Sequence, residues 1–189
     1  MYTRERQRGY TRRQTRKQSH RKSRSRSDKK KTRRKARTAK QQSAKDMAVQ
    51  TLEGHRDLVL FAEYSRDGQH IVSASSDNTV KIWGLNDKRE WVCENTITGH
   101  KNVVTSASFS PDGQHVVSTS YDGTAKIWYV ETGECVLNAD MGCYVFSAQY
   151  SPDSKEIVTA CGDRTVRVFN VETGECKHTL TGHSDRVES

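Results

Sequence analysis

The sequence predicts an all-β fold, assembled from repeats of one four-stranded antiparallel unit and preceded by a basic tail. From residue 47 onward the apolar residues fall in short runs rich in β-branched side chains, separated by turn clusters, and no helical periodicity competes with them. EYSRDGQHIVSASSDNTVKIW at 63–83 matches SFSPDGQHVVSTSYDGTAKIW at 108–128 at 13 of 21 positions, and QYSPDSKEIVTACGDRTVRVF at 149–169 follows the same pattern. Charge is segregated as well: residues 1–45 hold 20 of the 32 Lys and Arg against Glu5 and Asp28, a local net of +18. Residues 46–189 hold 12 basic and 21 acidic side chains, a net of −9, so the chain-wide +9 describes neither part.

Residues 1–45 contain almost no large aliphatic side chain, so burial cannot offset the entropy of ordering them, and a disordered tail is expected. The same lack of apolar residues argues against a mitochondrial presequence, which needs an amphipathic helix. HRKSRSRSD at 20–28 alternates Arg and Ser, which makes Ser23, Ser25 and Ser27 candidate phosphorylation sites. KKKTRRKAR at 29–37 places Lys29, Lys30, Lys31, Arg33, Arg34, Lys35 and Arg37 in a cluster suited to nuclear targeting or to binding phosphate backbones. Tyr2 and Tyr10 are the tail's only aromatic residues, so any RNA or DNA binding there is expected to be non-specific. Met47 stands immediately before the first repeat, and a chain beginning there would lack the tail.

In the second unit VVTSASF reads as a strand, PDGQ as a tight turn, HVVSTS as a strand, YDG as a turn and TAKIWYV as a strand. ETGE is then a turn, with a fourth strand near CVLNA. Gly54-His55 recurs 45 residues later as Gly99-His100, and Gly182-His183 lies 83 beyond, two further periods. Val59, Val104, Val145 and Val187 share one column; Ala62, Ala107 and Ala148 a second; Val72, Val117 and Val158 a third. Asp77, Asp122 and Asp163 form a fourth, and Trp83, Trp128 and Phe169 a fifth. The resulting regions are a tail at 1–45 and repeats at about 54–98, 99–139 and 140–181, with a partial fourth at 182–189.

A period in this range, with G-H near the start and Asp-x-Thr-x-x-x-Trp near the end, resembles the WD40 repeat, whose units form four-stranded blades of a β-propeller. The residue after the aromatic column is Gly84, Tyr129 or Asn170 and never the family's usual Asp. The resemblance implies that His55, Ser73, Asp77 and Trp83 form a hydrogen-bonded set, with His100, Ser118, Asp122 and Trp128 their counterparts. The third unit keeps Asp163 but has Met141, Thr159 and Phe169 at the other places, so its imidazole and indole are expected to give way to apolar repacking. Ser, His and Asp are also the set of a hydrolytic triad, but groups recurring at a fixed period are expected to serve the repeat, and no catalytic residue is assigned.

No cofactor site is expected: there is no Gly-rich phosphate loop and no H-E-x-x-H helix. His55, His100 and His183 belong to successive units, separated by whole blade widths, and so do not read as ligands of one metal. Cys93, Cys135, Cys143, Cys161 and Cys176 contain no C-x-x-C pair and are odd in number, which points to reduced thiols, read here as buried and inert, in an intracellular compartment, cytoplasmic or nuclear. No stretch approaches the roughly 18 apolar residues of a membrane span, so no membrane partner is expected.

What remains is surface, and the family resemblance implies binding of other proteins. The insertion GLNDKREWVCENT at 84–96 carries Trp91, read either as a protein-contact residue or as a fourth-strand residue packed between blades. Three complete units are too few for a ring of about four to eight blades. The sequence then reads as a piece of a longer product, as a chain that self-associates to complete a ring, or as an open arc, and the first is the expectation. In this reading AVQTL at 48–52 is an outer strand of a further blade, and TGHSDRVES ends inside a first strand. Deleting residues 1–45 tests the tail: nuclear accumulation and salt-sensitive retention on RNA should both be lost, and survival of both would leave the tail without a role in either.

Overall fold

The computed structural model describes residues 50–188, which excludes the candidate sites of the basic tail. Twelve strands form three four-stranded sheets among these residues, and no helix there is long and apolar enough to cross a membrane. The first sheet holds β1 (Val59–Tyr64), β2 (His70–Ser75), β3 (Val80–Leu85) and β4 (Trp91–Ile97). β5 (Val104–Phe109), β6 (His115–Ser120), β7 (Thr124–Tyr129) and β8 (Cys135–Asp140) make the second. The third comprises β9 (Val145–Tyr150), β10 (Glu156–Cys161), β11 (Val166–Asn170) and β12 (Cys176–Leu180). Each is an antiparallel meander with strands paired in chain order, as in a propeller blade, and the three do not close a ring.

Local sequence chemistry sets the turns. Ser110, Asp112 and Gly113 close the β5–β6 turn: the Ser110 hydroxyl donates to Asp112 at 2.5 Å and accepts from His115 N at 3.0 Å, while Gly113 takes φ 73°. Ser65, Asp67 and Gly68 repeat this arrangement in the first blade, and Ser154 takes the left-handed conformation in the third. Bulges interrupt the ladder at matching places, between Val59 and Phe61 and between Val104 and Ser106 on the first strands, and just before the aromatic column on the third strands. Periodicity alone carries no sign of these irregularities.

The core lies between the blades. Neighbouring residues of β6 point to opposite faces: Val116 enters the cluster of Val72, Ile82, Val104 and Trp128, and Val117 that of Ile127, Val145, Ile157 and Phe169. The central blade is thus apolar on both faces, which accounts for near-continuous apolar runs where a one-sided sheet would alternate. Hydroxyls tie the blades together as well, with Ser108 donating to Glu63 at 2.8 Å and Thr105 to the Val145 carbonyl at 2.7 Å.

The outer faces differ. Val104 is 0% exposed against the first blade, whereas Val59 in the same column is 52% exposed. Val117 is 0% exposed against the third blade, and its counterpart Val158 is 41% exposed. The AVQTL reading needs correction, because its described residues, Gln50 to Leu52, form no strand. The side-chain amide of Gln50 instead satisfies the main chain of β4, donating to Trp91 O at 2.6 Å and accepting from Trp91 N at 2.8 Å. Residues 181–188 likewise form no strand, though Val187 N donates to Cys161 O at 3.2 Å.

Val104→Ala should cost about 2 kcal/mol in urea unfolding, through lost burial and a residual cavity. Val59→Ala, chemically the same change, should stay within about 0.5 kcal/mol. Equal losses would show that the β1 face is covered in solution.

Candidate functional site

In the first two blades the residues singled out from the sequence converge on one hydrogen-bonded chain. His100 Nδ1 lies 2.8 Å from Asp122 Oδ2 and Nε2 lies 2.8 Å from Ser118 Oγ, while Trp128 Nε1 donates to the same Oγ at 2.7 Å. His55, Asp77, Ser73 and Trp83 repeat it at 2.9, 2.8 and 2.8 Å. The donor inventory fixes its polarity. The ionised Asp122 can only accept, so Nδ1 carries a proton and gives it to the carboxylate. The indole can only donate, so Ser118 accepts from it; with a neutral imidazole, Nε2 then accepts the Ser118 proton. The neutral form is favoured by burial, which lowers the His100 pKa below its ordinary 6.5 and outweighs the opposing hydrogen bond and charge of Asp122.

The Asp is the hub. Asp122 accepts from Thr124 N at 2.9 Å and Thr124 Oγ1 at 2.6 Å, from Lys101 N at 2.9 Å and from the imidazole. One carboxylate therefore orders both the β6–β7 turn and the loop entering the second blade. Burial disfavours its charge, but the bonds from Thr124, Lys101 and His100 together prevail and hold its pKa down to about 2. Asp77 is held well below the carboxylate range in the same way, against burial, by Thr79, Arg56 N and His55.

Ser–His–Asp connected in this order is also the wiring of a hydrolytic triad. Access separates the two roles. Ser118 is 0% exposed and its Oγ is occupied by the Trp128 indole, so no scissile bond can approach it.

The third blade departs from expectation. Met141, Thr159 and Phe169 are buried, but the vacated imidazole is not replaced by apolar contact alone. Arg167, whose column holds Lys81 and Lys126, turns its guanidinium onto the Asp163 carboxylate and onto Met141 O, the latter at 2.8 Å. Burial works against the ionised Asp163, and Thr165 and Arg167 more than compensate, lowering its pKa. The Lys-to-Arg change was the available signal, since a guanidinium can bridge a carboxylate and a carbonyl where an ammonium offers a single point charge.

Trp91 opens β4, partly buried, with its ring edge-on to Tyr64 at 5.8 Å between centroids. Tyr64 belongs to β1 of the same sheet, so this contact lies within the first blade. The five cysteines are free, but the reading of all of them as buried is corrected. Cys93, Cys135 and Cys176 oppose the aromatic column on the outermost strands, where nothing in the next layer covers them, and all three are exposed. Cys161 is buried and Cys143 half-buried; burial first, and the Cys161 thiol second, push the Cys143 pKa up. An open groove of about 550 Å³ lies beside them, lined by Tyr121, Tyr144 and the turns at Gly123 and Gly162.

The family model for the WD domain, G-beta repeat, matches residues 47–84, 91–129 and 134–170. Similar curated proteins include vegetative incompatibility protein HET-E-1 of Podospora anserina, 56% identical over 34 residues, which are 18% of this chain and 2% of that protein. Another is a WD repeat-containing protein of Dictyostelium discoideum, 38% identical over 47 residues, 25% of this chain and 8% of the relative. The matches thus span a small fraction of either relative's length.

The proton wiring ties stability to pH. His100 has a folded pKa below its ordinary 6.5, so its contribution is complete above that value and falls as pH drops, because the unfolded chain takes up the proton first. Asp122 adds a second loss between its ordinary 3.8 and about 2. His100→Ala should lower the melting temperature at pH 7 by roughly 6 °C or more and flatten the decline that begins near pH 6.5. Met141→Ala should lower it equally at every pH, through packing only. Parallel pH profiles for the two variants would remove the imidazole from the argument.

Proposed function

Because the chain belongs to the WD40 family (WD domain, G-beta repeat), whose repeats generally mediate protein–protein interaction, we propose that it is a non-enzymatic scaffold whose blade faces bind other proteins. The supporting observation is where the reactive side chains lie. Ser73, Ser118, His100 and the Trp indoles are buried and mutually bonded, while apolar columns that the central blade buries against its neighbours are exposed in the first blade or the third. Val59 is exposed where Val104 is buried, and Val158 where Val117 is buried. Such faces bind further blades, supplied by a longer chain or by a second copy, and self-association to complete a ring belongs to this reading.

A second reading makes the chain a nuclear or RNA-associated protein. It rests on the +18 segment at 1–45, which lies outside the described residues. Its test is the tail deletion; the scaffold reading does not depend on that outcome.

Light scattering after size exclusion of the full-length chain tests the scaffold. A discrete closed oligomer that dissociates in Val59→Glu or Val158→Glu would put a second copy on these faces. A folded monomer unaffected by either change would remove both faces from the function, and heterogeneous aggregate would point to blades supplied by additional chain.

A further inference from the structure

We propose that Cys143, Cys161 and Asp163 form a binding site for a thiophilic divalent d10 cation of the zinc and cadmium class. One sulfur from each cysteine and one carboxylate oxygen all lie within 4.8 Å of one another. Around a tetrahedral ion with metal–sulfur bonds of about 2.3 Å, two sulfurs stand about 3.8 Å apart. The ligands therefore need to close by roughly an ångström at most, within the reach of side-chain rotation.

Comparison among the three blades supplies the second, independent observation. The equivalent positions are Asp57, Ser75 and Asp77 in the first blade and Asn102, Ser120 and Asp122 in the second. There the hydroxyl belongs to the turn: Ser120 donates to Asn102 O at 3.0 Å and accepts from Asp122 N at 2.9 Å, and Ser75 does the same with Asp57 O and Asp77 N at 3.3 and 3.1 Å. In the third blade both touching positions have become sulfur together, and the carboxylate beside them has lost its imidazole. A thiol is a poor substitute for either polar group as a turn former, whereas two thiols and a carboxylate together are a soft donor set.

Charge and access agree with occupancy. On binding, each thiol gives its proton to solvent and forms a metal–sulfur bond. Two thiolates and a carboxylate then carry three negative charges, matched by the divalent ion together with the Arg167 guanidinium already on Asp163. Cys143, Asp163 and the adjoining turns line the groove of about 550 Å³, which gives the ion a route in and leaves its fourth position to water.

The test uses the full-length chain with the three exposed thiols removed (Cys93→Ser, Cys135→Ser, Cys176→Ser), kept reduced with a phosphine and titrated with Cd²⁺. The readouts are the thiolate-to-cadmium charge-transfer absorption and the melting temperature. We expect one ion per chain with the intensity of two thiolates, a rise in melting temperature, and displacement by Zn²⁺. Adding Cys143→Ser should halve the band, and adding Asp163→Asn should weaken binding by about tenfold or more while keeping two-thiolate intensity. Asp163→Asn changes an exposed side chain and so reports on the site even where a cysteine variant unfolds. Absence of a saturable band overturns the proposal, as does an unchanged affinity in Asp163→Asn or an undiminished band in Cys143→Ser.

Discussion

The first two blades each depend on one carboxylate, largely shielded from water, that has to be fully partnered. Asp77 and Asp122 sit in the turn between the second and third strands, where water supplies little of their solvation, and the main chain must deliver donors in its place. Those donors come from two directions: the threonine two residues on, and the loop that carries the histidine, which in the second blade follows the outer strand of the first. Meeting the carboxylate's demand therefore also sets where one blade ends and the next begins. The packing of Val104 or Val145 against the neighbouring blade follows from that placement.

The third blade shows how far this constraint can be displaced. Removing histidine leaves the Asp163 carboxylate short of a donor, and a cation from the adjacent strand makes up the deficit. Arg167 lies on β11, in the column that bears Lys81 and Lys126, whose ammonium groups point outward to Thr96 and Asn138. Losing the indole with the imidazole spares Thr159 an unmatched donor, and its hydroxyl turns to the Arg167 carbonyl at 3.3 Å. Several coordinated changes preserve one ionised group, as a coupled network requires.

The strands were legible because the same turn chemistry recurs: HVVSTS and TAKIW are bounded by residues whose side chains close the turns, and the repeated columns supply the pairing. The hydrogen-bonded residues were legible through their spacing and their likeness to a known repeat. Bulges were not, since an extra residue in a strand leaves the apolar columns intact. The exposed cysteines were missed because propensity describes a residue type, whereas exposure depends on being the outermost strand. Trp91 illustrates the same limit: its place on β4 followed from the strand pattern, but contact with Tyr64 requires the twist of the whole sheet.

A repeat protein separates fold from individuality along its columns. Positions that recur in every unit serve the unit, and their chemistry is consumed internally, as the Ser–His–Asp wiring is by the indole and the turn. Positions that break the period answer to something other than the blade. Among those in the third blade, Met141, Cys143, Cys161 and Arg167 gather around Asp163, beside an open groove. Their convergence on one carboxylate makes this corner of the third blade, ahead of the two regular networks, a place where the chain's own chemistry differs from that of its repeat.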